Sequence, residues 1–388
     1  MLGELESCLL FGPRGTGKSY MCRQFLKDLP GDSTIIDLLD REMYHQHSTS
    51  PGLFKSVVRS VPQAVHCHTF FIDEIQKIPE ILDDVHALIE EEFRAGQRKT
   101  RFLMSGSSAR KLKRGSANLL GGRALCAKLF PLHFTELELD LDRALRFGTL
   151  PKYYLQQGSP ELHLKSYADT YIREEVFQEL LVRKVQGFER FLDVAAQYNG
   201  EPVNFTKLGK AAGISGVTTQ SYFEILADIL LVRRIDVWSY SPRKQMTTSP
   251  KYYFFDCGVL NALRGELSLF AKPGTYRYGK LFETFVINQL LALNDYDQHG
   301  LKAYFWRTQS GQEVDLILAR GPGDTPRAIE IKSESTIEQK DLKGLLAFRE
   351  EHPQSHLYCL CATTSPYRIG EVEILPWRDG ITAILSRE

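Results

Sequence analysis

Short apolar runs bounded by glycine and polar clusters recur along the first third of the chain. "SCLLF" at 7–11, "STIIDLL" at 33–39, "HTFFID" at 68–73 and "TRFLMSG" at 100–106 have the length and character of strands buried on both faces. Between them the apolar period changes to 3.6, most clearly where Ile78, Ile81, Leu82, Val85, Leu88, Ile89 and Phe93 line one side of a helix. "LLGGRALCAKLFPLHFTEL" at 119–137 supplies one more strand. Alternating strands and helices predict a three-layer parallel α/β sheet over residues 1–140.

The pattern then shifts. A connector from about residue 143 to 157 carries Gly148 and Pro151, with Gly158 and Pro160 just beyond, and the amphipathic "LHLKSYADTYIREEVFQELL" at 162–181 follows. Phe205, Leu208 and Ala212 mark a helix, Gly213-Ile214-Ser215 a turn, and Tyr222, Leu226 and Ile229 a second helix. "LVRRIDVWSY" and "KYYFFDCGV" have the pattern of the two strands of a wing, so residues 141–260 are expected to form a helical, winged-helix-like module. Beyond it, "YRYGKLFETFVINQLLAL" at 276–293 predicts a helix with Leu281, Phe285 and Leu291 on one side. "AYFWRTQSGQEVDLILAR" gives two strands joined at Ser310-Gly311, and "AIEIKSE" at 328–334 a third, within a last α/β domain over 261–388.

Composition narrows the classes. With 388 residues, 43% of them hydrophobic, the chain has enough material for two or three cores. Lys plus Arg and Asp plus Glu are 48 each, which excludes a globally basic nucleic-acid binder but leaves room for a local patch. The seven cysteines form no CxxC pair and point to reduced, buried thiols rather than zinc. No run approaches membrane-spanning length, and no signal peptide fits before residue 12, so the expectation is a soluble cytoplasmic protein without a membrane partner.

The candidate chemistry begins at Gly12-Pro13-Arg14-Gly15-Thr16-Gly17-Lys18-Ser19, a strand–loop–helix phosphate-binding motif. Backbone N–H groups of this loop would surround the phosphates, Lys18 would reach the outer two, and the Ser19 hydroxyl would hold Mg²⁺. Asp73, ending the next buried strand, would complete the Mg²⁺ shell, and Glu74 would polarise the attacking water. The bland alternative for this acidic pair is a helix N-cap. Ser105, with Ser107 second, is the candidate sensor of the outer phosphate or the water. Arg123 is either a finger completing a neighbour's site or a surface arginine, with Arg110 and Arg114 as rivals. A finger acting in trans requires a homo-oligomer, for which a hexamer is one arrangement. Lack of a guanine-reading motif favours ATP over GTP.

In the middle module, Thr218, Thr219, Gln220 and Ser221 open the second helix, while Arg233, Arg234, Arg243, Lys244 and Lys251 gather in the wing. That distribution suits contact with DNA phosphates, by structure rather than sequence, or a plain packing module.

At the C-terminus Glu283, Asp315, Glu330 and Lys332 follow in the order helix, strand, strand. The three carboxylates could share Mg²⁺ or Mn²⁺, with Lys332 helping the attacking water on a phosphodiester. Asp…Glu-x-Lys matches the restriction-endonuclease-like fold. A structural Glu330–Lys332 pair is the competing reading, and such folds also persist as binding modules.

The layout resembles prokaryotic AAA-type ATPases joined to a C-terminal domain of unknown function. The resemblance rests on GPRGTGKS at 12–19, FIDEIQKIP at 71–79, SGSS at 105–108, GGRALCAKLFPLHFTEL at 121–137 and YIREEV at 171–176. It continues with GKLFETFV at 279–286, WRTQSGQEVDLIL at 306–318 and IEIKSE at 329–334. The stretch before the phosphate loop is shorter than in the family. The resemblance implies ATP binding by an additional-strand fold and a nuclease-like last domain. The expected function is an ATPase coupled to a Mg²⁺-dependent DNA nuclease, or else an ATP-regulated, DNA-binding or signalling switch whose nuclease-like domain does not cut.

Overall fold

The computed structural model describes the chain except for residues 1–5, 30, 62–66, 97–99, 108–122, 157, 159, 173–184, 240–248, 322 and 388. It divides into two compact units, Met1–Phe130 with Asp228–Leu230, and Pro131–Ala227 with Leu231–Glu388.

In the first unit the elements run β1 (Ser7–Phe11), α1 (Lys18–Asp28), β2 (Asp32–Asp37), α2 (Arg41–Thr49), α3 (Leu53–Arg59), β3 (His68–Asp73), α4 (Ile81–Arg94), β4 (Thr100–Gly106) and β5 (Ala124–Lys128). All five strands are parallel, in the order β2-β3-β4-β1-β5. Strand β4 is therefore inserted between the strand that enters the phosphate loop and the strand that ends in Asp73. Alternate residues leave the sheet on opposite faces. Leu9, Phe11, Phe70, Ile72, Phe102 and Met104 pack with Phe54 of α3 and Val85 of α4, whereas Cys8, Leu10, Phe71 and Leu103 meet Cys22 and Leu26 of α1. Three layers result because the inner strands β1, β3 and β4 are apolar on both sides. Phe93, which the helical spacing placed on the buried stripe of α4, lies in the last turn and is exposed.

The second unit contains α5 (Leu141–Phe147), α6 (Val185–Gln197), α7 (Phe205–Ala212), α8 (Gly216–Asp228), β6 (Val232–Val237), β7 (Lys251–Phe254), α9 (Cys257–Leu263) and α10 (Tyr276–Tyr296). Then come β8 (Lys302–Arg307), β9 (Glu313–Ala319), β10 (Arg327–Lys332), α11 (Lys343–Glu351), β11 (His356–Cys361), β12 (Tyr367–Ile369), β13 (Val372–Pro376) and α12 (Trp377–Ser386). The helix–turn–helix forms where the pattern put it. Asn204 caps α7 by accepting from Lys207 N at 2.9 Å, Gly213 turns the chain at φ 71°, and Ser215 Oγ accepts from Thr218 N at 3.0 Å at the start of α8.

The wing differs from expectation. Strands β6 and β7 do pair antiparallel, but β6 also pairs in parallel with β8, so the hairpin forms the edge of a mixed sheet ordered β12-β13-β11-β10-β9-β8-β6-β7. Ile235, Val237 and Trp238 are buried there, and a free wing would leave them in water. The basic cluster is not formed by its described members. Arg233 pairs with Asp295 at 3.3 Å, Arg234 with Asp236 at 2.8 Å, and Lys251 is buried, while Arg243 and Lys244 lie outside the described residues. Three charges expected to face phosphates are answered within the fold.

Strand β10 runs antiparallel to β9 (Ile329 opposite Leu316) and parallel to β11 (Glu330 opposite Cys359). Trp306, Val314, Ala328, Phe348 and Leu357 share one core cluster, closed by α11. Among the described residues no helix is long and apolar enough to cross a membrane.

The segment around α5 is held by a buried carboxylate. Asp256 accepts from Thr149 N at 2.7 Å and from Val259 N at 3.0 Å, and next to it a Cβ on Gly258 would lie 2.1 Å from the Phe147 carbonyl oxygen. Backbone cannot swing aside as a side chain does. Gly258→Ala should therefore cost about 1–3 kcal/mol, read as a lower urea midpoint, and an unchanged midpoint would mean that this contact is not made.

Candidate functional site

The first site grows out of the end of β1. The chain leaves Phe11 into a loop so close to its neighbour that a Cβ on Gly12 would stand 2.4 Å from the Leu129 carbonyl oxygen. Thr16 Oγ1 donates to Pro13 O at 2.9 Å and Gly12 N donates to Gly106 O at 3.3 Å, which closes the loop on itself and on β4. Gly17 sits at φ 93°, a conformation costly to other residues, and α1 begins at once with Lys18. The N-terminus of α1 thus faces the loop, the arrangement that receives phosphate oxygens. Pro13 and Thr16 are buried and Arg14 is half-buried. Lys18, buried at 5% exposure, donates from Nζ to Gly12 O at 2.7 Å and to Pro13 O at 3.1 Å.

Asp73 is the junction. Its Oδ1 accepts from Ser19 Oγ at 2.9 Å and from Ser105 Oγ, joining α1, β3 and β4 at one buried carboxylate. A hydroxyl and a carboxylate oxygen side by side, at the mouth of a loop lined with N–H groups and a lysine, suit Mg²⁺ with a nucleotide triphosphate. Ser105 also accepts from Glu74 N at 3.2 Å, so the sensor candidate orients both acidic residues through one hydroxyl. Ser107, the second candidate, lies on Gln76.

Glu74 is a non-glycine residue at φ 61°, which costs about 1–2 kcal/mol and which a neighbouring network holds in place. Gln76 supplies that network. Its Nε2 donates to Glu74 Oε2 and, at 3.0 Å, to Ser107 Oγ, and all three residues are buried. Gly106 makes room for it, since a Cβ there would be 2.8 Å from Gln76 Oε1. Gln76 is missing from the sequence-level set. Its signal was a polar residue two positions beyond the Asp-Glu pair, inside an otherwise apolar "IQKI" segment. Arg123 lies just before β5 in an ion pair with Glu90, whose pKa the guanidinium hydrogen bond holds below its ordinary value. Arg110 and Arg114 lie outside the described residues.

The second cluster lies in the other unit. Glu283 on α10, Asp315 on β9 and Glu330 and Lys332 on β10 are brought near one another, with contacts that differ from the expected metal set. Glu283 accepts from Tyr253 Oη at 2.7 Å and from Lys280 Nζ at 3.1 Å. Lys332 Nζ donates to Glu330 Oε1 at 2.7 Å, so the Glu-x-Lys pair is a salt bridge. Glu330 Oε2 is buried and accepts no hydrogen bond. Asp315 Oδ2 accepts from Ile331 N at 2.8 Å. Lys251, assigned to the wing by sequence, is fully buried and donates to Glu313 Oε1 at 2.5 Å. Lys280 is another participant that the sequence analysis missed. Among the described residues no three His, Cys, Asp or Glu side chains gather so as to hold a metal ion. The expected Mg²⁺ or Mn²⁺ set of Glu283, Asp315 and Glu330 is not formed: Lys280 holds Glu283 and Lys332 holds Glu330 Oε1, while Asp315 accepts from main chain.

Burial sets the charge balance of this cluster. It pushes Glu330 up to about 8, with repulsion from Asp315 adding to the effect and the Lys332 ammonium opposing it. Burial and the nearby Glu283 likewise raise Asp315 to about 6. Burial works against the charge on Lys332, yet Glu330 and Asp315 outweigh it and hold the ammonium above its ordinary value.

Two outcomes follow from these contacts. A carboxyl raised in the folded state keeps its proton where the unfolded chain has lost it, so stability falls as pH rises from the ordinary glutamate value toward about 8. Glu330→Gln should flatten that fall, visible as urea midpoints at pH 5 and pH 8 lying closer together than in wild type. At the first site, Gln76→Leu should lower kcat for ATP about tenfold or more while KM changes little, since it frees Glu74 without touching the loop. A rise in KM at unchanged kcat would place Gln76 in binding instead.

Residues 5–138 match the family described as AAA domain, residues 138–269 a domain of unknown function (DUF8612), and residues 278–379 a domain of unknown function (DUF4143). An uncharacterized protein of Mycobacterium tuberculosis is 27% identical over 331 residues, 84% of this chain and 70% of that one. An uncharacterized protein of Methanocaldococcus jannaschii is 20% identical over 366 residues, 87% and 77% of the two chains. RuvB of Thermotoga maritima overlaps 62% of this chain and 84% of its own at 16% identity and a TM-score of 0.31, too loose an overlap to support an argument. The parallel sheet and its phosphate loop agree with the match of residues 5–138 to the family described as AAA domain.

Proposed function

We propose that the protein is an ATP-driven switch that binds and hydrolyses ATP at Gly12–Ser19 and uses the cycle to alter how its second unit holds DNA. The observation that carries the reading is the contact of Ser19 Oγ with Asp73 Oδ1 at 2.9 Å, with Lys18 and Glu74 beside it. A bound Mg²⁺ ion would neutralise charge on the phosphates. Main-chain N–H groups of Gly15 and Gly17 hold the phosphate oxygens, and Lys18 adds a mobile positive charge. Ser19 and Asp73 are the residues to hold the ion. Glu74 takes a proton from the attacking water, with Gln76 fixing its carboxylate and Ser105 fixing its main chain. Arg123 is the finger we assign to a neighbouring copy in a homo-oligomer, a role that requires it to leave Glu90.

DNA enters through the helix–turn–helix. Val217 is 81% exposed at the start of α8 and Gln220 is exposed beside it, so one side of the helix end that meets a groove in such modules is open to solvent. With Arg233, Arg234 and Lys251 internally paired, contact by shape and main-chain polar groups is the form that fits.

Lys18→Ala should abolish ATP binding. Glu74→Gln should retain binding and slow hydrolysis about 10²–10⁴-fold, as seen in parallel nucleotide-binding and phosphate-release assays. Duplex or branched DNA should raise the turnover of wild type. Turnover that no DNA alters at saturating concentration would remove DNA from the reading and leave the ATPase.

A further inference from the structure

The Asp…Glu-x-Lys cluster contains a lysine outside its motif. Lys251 opens β7, at the edge of the sheet, yet none of its surface reaches solvent. Its Nζ donates to Glu313 Oε1 at 2.5 Å and lies 5.1 Å from the centre of the Phe305 ring. A lysine stem normally carries its charge out to water, so a fully enclosed ammonium has to be balanced from within. Glu313 provides the direct contact, and Glu283 and Asp315 act on the same charge through space.

Two more lysines complete a pattern. Lys280 reaches both Glu283 and Glu201 at 3.1 Å, and Lys332 reaches Glu330 at 2.7 Å. Glu313, Glu283 and Glu330 therefore each have an ammonium within hydrogen-bonding distance, on lysines from three different elements. A divalent ion needs oxygen ligands with free lone pairs and uncompensated negative charge. At Asp315 and Glu330 it would find Glu330 Oε1 already held by Lys332, and would reach Glu330 Oε2 and Asp315 only among fixed positive charges.

We propose that Lys251 is the resident cation of this cluster, supplying from within the chain the positive charge that a divalent ion provides in a metal-dependent phosphodiesterase. The second unit takes no divalent ion at Asp315 and Glu330. Nothing at Gly12–Ser19 enters this inference, so it stands or falls apart from the ATPase.

The test is titration of full-length, nucleotide-free protein with Mn²⁺, following free ion by electron paramagnetic resonance. Wild type, Asp315→Asn, Lys251→Met and the double variant are compared, with circular dichroism as the check on folding. Any ion held at Ser19 and Asp73 is common to all four and cancels. Wild type and Asp315→Asn should give superimposable curves. Lys251→Met should gain one site at least tenfold tighter than any in wild type, lost again in the double variant. An ion bound by wild type and lost in Asp315→Asn would overturn the proposal, and this comparison needs only those two proteins should Lys251→Met not fold. A folded Lys251→Met that gains no site would equally show that Lys251 is not what keeps the ion out.

Discussion

The contact on which the first unit turns is a buried carboxylate shared by two hydroxyls. Asp73 ends β3, and its Oδ1 receives Ser19 from α1 and Ser105 from β4. An isolated carboxylate at 1% exposure would be strongly disfavoured. Its two donors come from elements that the parallel order brings together only because β4 lies between β1 and β3. The sheet topology therefore serves the site directly. Moving β4 to an edge would leave Asp73 without Ser105 and Glu74 without the hydroxyl that holds its main chain. Glu74 in a left-handed conformation and Gln76 against Gly106 extend the same arrangement outward, each step relying on the one before.

In the second unit the constraint is charge compensation. A sheet built from β6 to β13 encloses a group of carboxylates, and the chain answers them with lysines from β7, α10 and β10. Removing one partner of such a pair is expected to be more harmful than removing both, because the remaining charge stays buried. This also explains why the hairpin of β6 and β7 joins the larger sheet instead of standing free. Lys251 reaches Glu313 because its strand is part of that sheet, and the aromatic run behind it, Tyr252, Tyr253 and Phe254, is buried with it.

Much of this was legible in the residues. The order of strands, loop and helix in the first unit follows from period-2 and period-3.6 patterns with an unbroken phosphate-loop motif, and Lys18, Ser19, Asp73, Glu74 and Ser105 do come together. The helix–turn–helix was visible in Gly213 and its flanking periodicity. The parts that were not legible depend on long-range partners. A lysine opening "KYYFF" carries the same composition whether it faces phosphate or Glu313, and only the pairing of β6 with β8 decides. Gln76 was hidden for a related reason, since its role comes from Ser107, just past the end of the neighbouring strand β4. Asp315, Glu330 and Lys332 were found as neighbours, but motif spacing reports proximity and not which groups already have partners.

Ser19 and Asp73, side by side at the phosphate loop, are the residues we propose to hold Mg²⁺ with the nucleotide. Calorimetric binding of a non-hydrolysable ATP analogue, with and without Mg²⁺, to wild type and Asp73→Asn tests this most directly. Mg²⁺ should tighten binding to wild type and have little effect on Asp73→Asn. Binding equally tight in both proteins with and without Mg²⁺, or no binding by wild type at all, would contradict that assignment.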